Sequence, residues 1–177
     1  MSEVMIDLET ASTDKTASIL TLGAIKFKNN APVISMDSMN TFYVKINLED
    51  CKRYKLDVNA DTMEWWELQS EEAKEEVFGG DRLPLKKALK QFIEWWGYSN
   101  IVWSNGSVFD VVIMENAFKA CGLRPPWKFW NIRDTRTRYA DGKVRLNDFP
   151  NKIQHHALHD CYAQINACKQ AAKNLGI

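Results

Sequence analysis

Val4-Met5-Ile6-Asp7-Leu8-Glu9-Thr10 is an apolar, strand-like run that carries two acids where a buried strand should carry none. Side chains at i and i+2 of a strand share a face, so Asp7 and Glu9 point the same way. Like charges held that close repel, and a cation between them relieves the repulsion. A divalent metal is therefore the leading explanation. The competing one is a solvent-facing strand side, with Ile6 and Leu8 turned to the core.

Working outward, 177 residues of which 45% are apolar suffice for a sizeable core, and residues 1–177 read as a single domain. No apolar run approaches the roughly 18 residues of a membrane span, and the N-terminal region lacks a signal-peptide pattern, so a soluble, cytoplasmic protein without a membrane partner is expected. Cys51, Cys121, Cys161 and Cys168 are too widely spaced for a Cys-x-x-Cys metal or redox motif, so reduced, mostly buried thiols are the default. Cys161 and Cys168, seven apart, fit one helix face.

Net charge is zero, but it is unevenly spread. From Asp57 to Asp81 nine acids face Lys74 alone, whereas from Lys119 to Lys152 nine bases face three acids. The basic segment is interleaved with Trp127, Phe129, Trp130 and Tyr139. That pattern suits either a track for a phosphate backbone with stacked bases or a solvated face over an aromatic core.

Residues Val4–Leu8, Ile19–Phe27 and Asn40–Ile46 read as strands, with Asn29-Asn30 as a hairpin turn. Asp61 or Thr62 can cap a helix through Trp65-Trp66, and Ser70 can cap a second. Leu85, Leu89, Phe92, Ile93 and Trp96 recur at helical spacing from about Pro84 to a stop at Gly97. Ile101-Val102-Trp103 reads as a buried strand, Ser107–Cys121 as a helix, and His155–Leu175 as another. The order predicts an α/β protein with a mixed β-sheet flanked by helices.

Two further acids occupy suggestive positions. Asp110 follows the strand at 101–103, where strands entering helices commonly build sites, and Asp160 lies in the knot His155-His156-Ala157-Leu158-His159-Asp160. His155 and His159, four apart, evoke a zinc hydrolase, but that pattern needs Glu directly after the first His, and His156 stands there.

Asp7-x-Glu9, Asn105 to Phe109-Asp110, and His155-x-Ala157-x-x-Asp160 resemble, in order, the three motifs of the DEDDh 3′-5′ exonucleases, a DnaQ-like superfamily with an RNase H-like fold. The run from Asp61 to Ala73 and Arg133-Asp134-Thr135-Arg136-Thr137 look like the branch that includes small phage exonucleases and mycobacterial exoribonucleases. The resemblance implies hydrolysis of single-stranded DNA or RNA from the 3′ end, releasing nucleoside 5′-monophosphates with two Mg²⁺ or Mn²⁺ ions. It implies that Asp7 bridges both ions, that Glu9 and Asp160 complete the first site, and that Asp110 holds the second. Hard oxygen ligands of this kind suit those cations.

By the same resemblance His155 is the general base, an imidazole with an unperturbed pKa of about 6.5. Helical periodicity disagrees. On an ideal helix His156 shares the Asp160 face while His155 lies about 140° away, so His155 serves only if it precedes the helix. Thr10, Trp66, Asn105, Phe109 and Arg136 are the candidate substrate-binding residues, with Asn105 and Phe109 positioning Asp110; Trp65 and Trp66 wall the pocket or pack the core. Arg133 and Arg136 meet phosphate or form a salt bridge to Asp134. Related exonucleases often pair as a homodimer, but the sequence leaves the oligomeric state open. A nucleic-acid-binding or interaction module that keeps the fold without turnover is the alternative from another class.

Overall fold

Alternating side-chain direction along the first strand sorts the molecule into layers. The computed structural model describes residues 2–29, 31–149 and 153–177. In β1 (Glu3–Thr10), Val4, Ile6 and Leu8 join one buried cluster and Met5 joins another. Both faces of the strand are therefore covered, and Asp7 and Glu9 point with Met5 toward a layer of protein. A simple solvent-facing side is excluded.

β2 (Ile19–Phe27) pairs antiparallel with β1, and β3 (Asn40–Lys45) pairs antiparallel with β2. β4 (Ile101–Ser104) runs parallel to β1, and β5 (Ile132–Asp134) parallel to β4. The mixed sheet has the order β3-β2-β1-β4-β5. Between β1 and β2 the register shifts, Glu9 facing Thr21 and Thr10 facing Ile19, so Leu20 is the extra residue of a bulge beside the acid pair.

α1 (Leu48–Arg53), α2 (Ala60–Glu67) and α3 (Glu71–Phe78) form an excursion after β3. α4 (Leu85–Trp96) and α5 (Asp110–Ala120) cover the Val4-Ile6-Leu8 face, where Leu85, Leu89, Phe92 and Trp96 are buried as their spacing predicts; Ile93 packs at the margin. α6 (Thr135–Gly142) and α7 (Ala157–Leu175) contribute to the core on the Met5 face, where Tyr139, Cys161, Ile165 and Cys168 meet Ile25 and Trp103. All four cysteines are free and buried.

Two glycines set how closely this layer packs. Gly23 pairs with Asp7 across β1–β2, and a Cβ there would stand 2.5 Å from the Ala157 carbonyl carbon. One on Gly142 would stand 2.6 Å from Ala171 Cα. The start of α7 thus lies directly on the sheet backbone, opposite the acid pair.

Several boundaries differ from the sequence expectation. The connection from β2 to β3 occupies residues 28–39, with a 3-10 turn at Met36–Ser38, instead of a tight hairpin; Asn30 of the expected turn lies outside the described residues. α2 is capped by Asn59, whose side chain accepts from Thr62 N, in place of Asp61 or Thr62. Ser70 caps α3 as expected. α5 begins at Asp110, not Ser107, and α7 at Ala157, not His155. α1, β5 and α6 had no counterpart in the sequence reading. Among the described residues no helix is long and apolar enough to cross a membrane.

Candidate active site

Three elements deliver the acids to one place. β1 supplies Asp7 and Glu9, the loop after β4 ends at Asp110, and the first turn of α7 carries Asp160. Asp7, Glu9 and Asp160 each offer an oxygen within 4.8 Å of the others. Opposed ligands on one Mg²⁺ are about 4.2 Å apart from bond lengths of about 2.1 Å, so this all-oxygen trio fits such an ion with small adjustments.

Asp110 stands beside the trio. It is 4% exposed, and its Oδ1 accepts the Leu8 N–H at 3.2 Å, which ties the start of α5 to β1 between the two N-terminal acids. Burial pushes Asp110 up to about 7, against the pull of the Leu8 N–H and of Arg136. Burial also raises Asp7 well above the usual carboxylate range, reinforced by the charges of Asp110, Glu9 and Asp160. Glu9 is raised by burial and then by Asp160 and Asp110. Three carboxylates raised by burial, Asp7 and Glu9 also by neighbouring acids, with Asp160 beside them, form a site suited to positive charge.

Gln164, one turn after Asp160, is buried and donates from Nε2 to Asp7 Oδ1 at 2.7 Å. A glutamine on the buried face of an Ala-rich helix, four residues after the Asp, was the available signal, and the motif reading missed it.

The two histidines have different surroundings. His156 is the N-cap of α7, its Nδ1 accepting from Leu158 N at 3.3 Å. Its ring stacks between Tyr43, at 4.7 Å, and His159, at 4.3 Å, and its Nε2 lies 3.7 Å from Glu76. Both nitrogens are thus engaged. His155 precedes the helix in a left-handed conformation, φ +57°, so helical periodicity does not govern where its ring points. That ring lies edge-on to Trp65 and Trp66, with centroids at 5.1 and 5.7 Å, and burial lowers its pKa below the ordinary value. Pro150 and Asn151, expected to give flexible entry to this helix, lie outside the described residues.

A cleft of about 480 Å³ opens beside the acids, lined by Glu9, Thr10, Asp61, Trp65, Trp66 and Phe109 among others. Trp66 is its buried inner wall, donating from Nε1 to the Thr10 carbonyl at 2.9 Å, whereas Trp65 is 43% exposed. The Thr10 hydroxyl donates to the Ser12 carbonyl at 2.7 Å. Asn105 Oδ1 accepts from the Thr135 hydroxyl at 3.0 Å, and Phe109 N donates to the Gly106 carbonyl at 2.8 Å, which together fold the loop that presents Asp110.

Arg136 is exposed and its guanidinium packs beside Gly106, whose φ is +109°. Asp134 accepts from the backbone N–H groups of Ser107 and Arg136. Arg133 donates to the carbonyls of Trp130 and Ile132, each at 2.9 Å. Among the described residues, neither arginine forms the salt bridge to Asp134 that the sequence allowed.

Comparison with known proteins agrees with this geometry. Residues 2–172 match the family model of the 3′-5′ exoribonuclease Rv2179c-like domain. The chain is 27% identical over 209 aligned positions to an exodeoxyribonuclease of Enterobacteria phage T4, covering 98% of this chain and 90% of the phage protein. Its fold resembles cell-death related nuclease 4 (CRN-4), with a TM-score of 0.59 at 12% identity, covering 99% of this chain and 64% of that one. It also resembles S. pombe Pop2p in its Mg²⁺- and Mn²⁺-bound form, with a TM-score of 0.51 at 11% identity, covering 96% and 82%. The architecture is that of the RNase H-like nucleases.

Proposed function

The chain belongs to the 3′-5′ exoribonuclease Rv2179c-like domain family, within the DEDDh exonuclease superfamily, and from that premise we propose that it hydrolyses phosphodiester bonds from the 3′ end of single-stranded DNA or RNA, releasing nucleoside 5′-monophosphates. The observation that carries this reading is the gathering of Asp7, Glu9 and Asp160, with Asp110 beside them, next to a cleft walled by Trp65 and Trp66, against whose rings His155 packs. A protein that only binds nucleic acid gains nothing from carboxylates crowded where phosphate must approach.

Asp7, Glu9, Asp110 and Asp160 would hold the two Mg²⁺ or Mn²⁺ ions, the group of Asp7, Glu9 and Asp160 being the one that offers oxygens close enough to share an ion. When bound, such ions neutralise the phosphoryl oxygens, activate water and stabilise the leaving 3′ oxygen. The chain's own residues do the rest. The cleft receives the terminal nucleotide, with Trp65 and Phe109 against the base and the Thr10 backbone near the sugar. Gln164 fixes the rotamer of Asp7 through its hydrogen bond. His155 takes the proton of the attacking water on an imidazole nitrogen, which its lowered pKa keeps neutral and available near pH 7. Arg136 steadies the adjacent phosphate.

The test is mononucleotide release from a 3′-labelled oligomer with Mg²⁺ or Mn²⁺ and its loss with EDTA. Asp7→Asn is expected to keep the fold and abolish release. A folded Asp7→Asn protein with undiminished activity refutes the metal assignment, and binding without cleavage by the unmodified protein favours a non-catalytic module.

A further inference from the structure

Trp127, Phe129, Trp130 and Tyr139 of the basic segment separate into two pairs. Trp127 is buried and donates to Glu115 Oε1 at 3.0 Å, and Tyr139 is buried and donates to the Gln164 carbonyl at 3.1 Å. Phe129 and Trp130, by contrast, are 78% and 60% exposed. Their rings meet edge-to-face at 4.8 Å on a 3-10 turn immediately before β5. Adjacent large aromatics left in water at the foot of an edge strand forgo about 1.5–3 kcal/mol of burial for a ring such as Phe, which marks a surface with a use.

Their surroundings are cationic. Lys128, Arg133 and Arg136 are all exposed, and Asp134, the single acid from 128 to 136, is occupied by the backbone N–H groups of Ser107 and Arg136. Arg133 donates to the Trp130 backbone carbonyl, so the cation sits beside the residue that carries the exposed ring. β5 spans three residues, roughly 10 Å at about 3.3 Å per residue, and leads from this pair to Arg136 beside the Asp110 loop.

The order across the sheet gives this edge a direction. The cleft lies by the C-terminal end of β1, Asp110 follows β4, and Arg136 follows β5 at the outer edge. A strand whose 3′ residue fills the cleft has the acids at its last phosphodiester and leaves toward β5.

We propose that Lys128, Phe129, Trp130, Arg133 and Arg136 form a track for the single strand upstream of the bond being cut, its bases stacking on Phe129 and Trp130 and its phosphates meeting the three cations. This rests on the exonuclease reading above and adds a second, remote contact to it. Sequence-tolerant stacking beside a positive groove is how single strands are held without reading their bases.

Fluorescence anisotropy of 5′-labelled twelve-residue oligothymidylate and oligouridylate, and of the matching dinucleotides, tests the track. The measurements are made in EDTA, so that no turnover occurs. Trp130→Ala, confirmed folded by circular dichroism, is expected to weaken twelve-mer binding about ten-fold, the scale of one lost stacking partner, and dinucleotide binding less than two-fold. Arg133→Gln is expected to reduce the slope of log affinity against log salt by about 0.7 for the twelve-mer, a check that stands should Trp130→Ala fail to fold. Unchanged twelve-mer affinity in Phe129→Ala and Trp130→Ala, or equal losses for both lengths, overturns the track. Cleavage by the unmodified protein is scored separately: cleavage with length-independent binding sinks the track alone, whereas length-dependent binding without cleavage upholds the track and sinks the exonuclease reading.

Discussion

Gly23→Ala puts the close packing of α7 to the test. The added Cβ would lie 2.5, 2.6 and 2.8 Å from the Ala157 carbonyl carbon, the Leu158 nitrogen and the Ala157 oxygen, all of them backbone. Ordinary contact begins near 3.4 Å, so the start of α7 must retreat by about 0.9 Å, since no side chain can swing aside. Overpacking of this kind costs about 1–3 kcal/mol. In a chain this long each kcal/mol lowers Tm by about 2–4 °C. The chemical cost is larger. Asp160 sits in the first turn of α7 and His155 directly before it, and a misplacement of about 1 Å can reduce rate about 10²-fold. The assay is kcat/KM for mononucleotide release at a temperature well below the variant's Tm, read alongside Mn²⁺ affinity by calorimetry. A folded Gly23→Ala protein with wild-type kcat/KM and Mn²⁺ affinity refutes the claim that this glycine sets the position of the last ligand and the base.

Gln164→Leu removes the donor to Asp7 Oδ1 while keeping bulk, and is expected to weaken Mn²⁺ binding about 10–100-fold in titration calorimetry. His155→Ala is expected to lose at least 10²-fold in kcat and His156→Ala far less; the opposite ranking returns the base to the helix cap. Because burial lowers the His155 pKa and the base acts in its neutral form, the limb due to His155 should lie below pH 6.5 in kcat/KM against pH at saturating Mn²⁺, which keeps the raised acids ionised, and be absent in His155→Ala. Trp66→Phe deletes the buried hydrogen bond to the Thr10 carbonyl and should cost about 1–3 kcal/mol in urea unfolding, with KM rising more than kcat falls.

What the sequence disclosed followed from strong local periodicity. The apolar spacing from Leu85 to Trp96 and the β-branched run of β2 needed no tertiary context, and the paired acids of β1 announced themselves by violating burial. Short elements stayed hidden. β5 is three residues long and edge-bound, and α6 has the polar composition of a loop until Asp134 caps it and Gly142 packs on Ala171. His155 shows the difficulty most directly. Counting 3.6 residues per turn assumed a helix already under way, whereas the His156 cap starts it one residue later and leaves His155 in a left-handed turn. Gln164 and Gly23 act only through partners distant along the chain, and no short motif contains them.

The bond from Gln164 to Asp7 joins residues 157 positions apart, and Asp160 reaches the same pocket from that distant helix. During synthesis the N-terminal acids leave the ribosome long before their partners exist. A nascent or truncated polypeptide lacking α7 therefore leaves the acid cluster without Asp160 and Asp7 without its Gln164 donor, however well β1 to β3 have already paired.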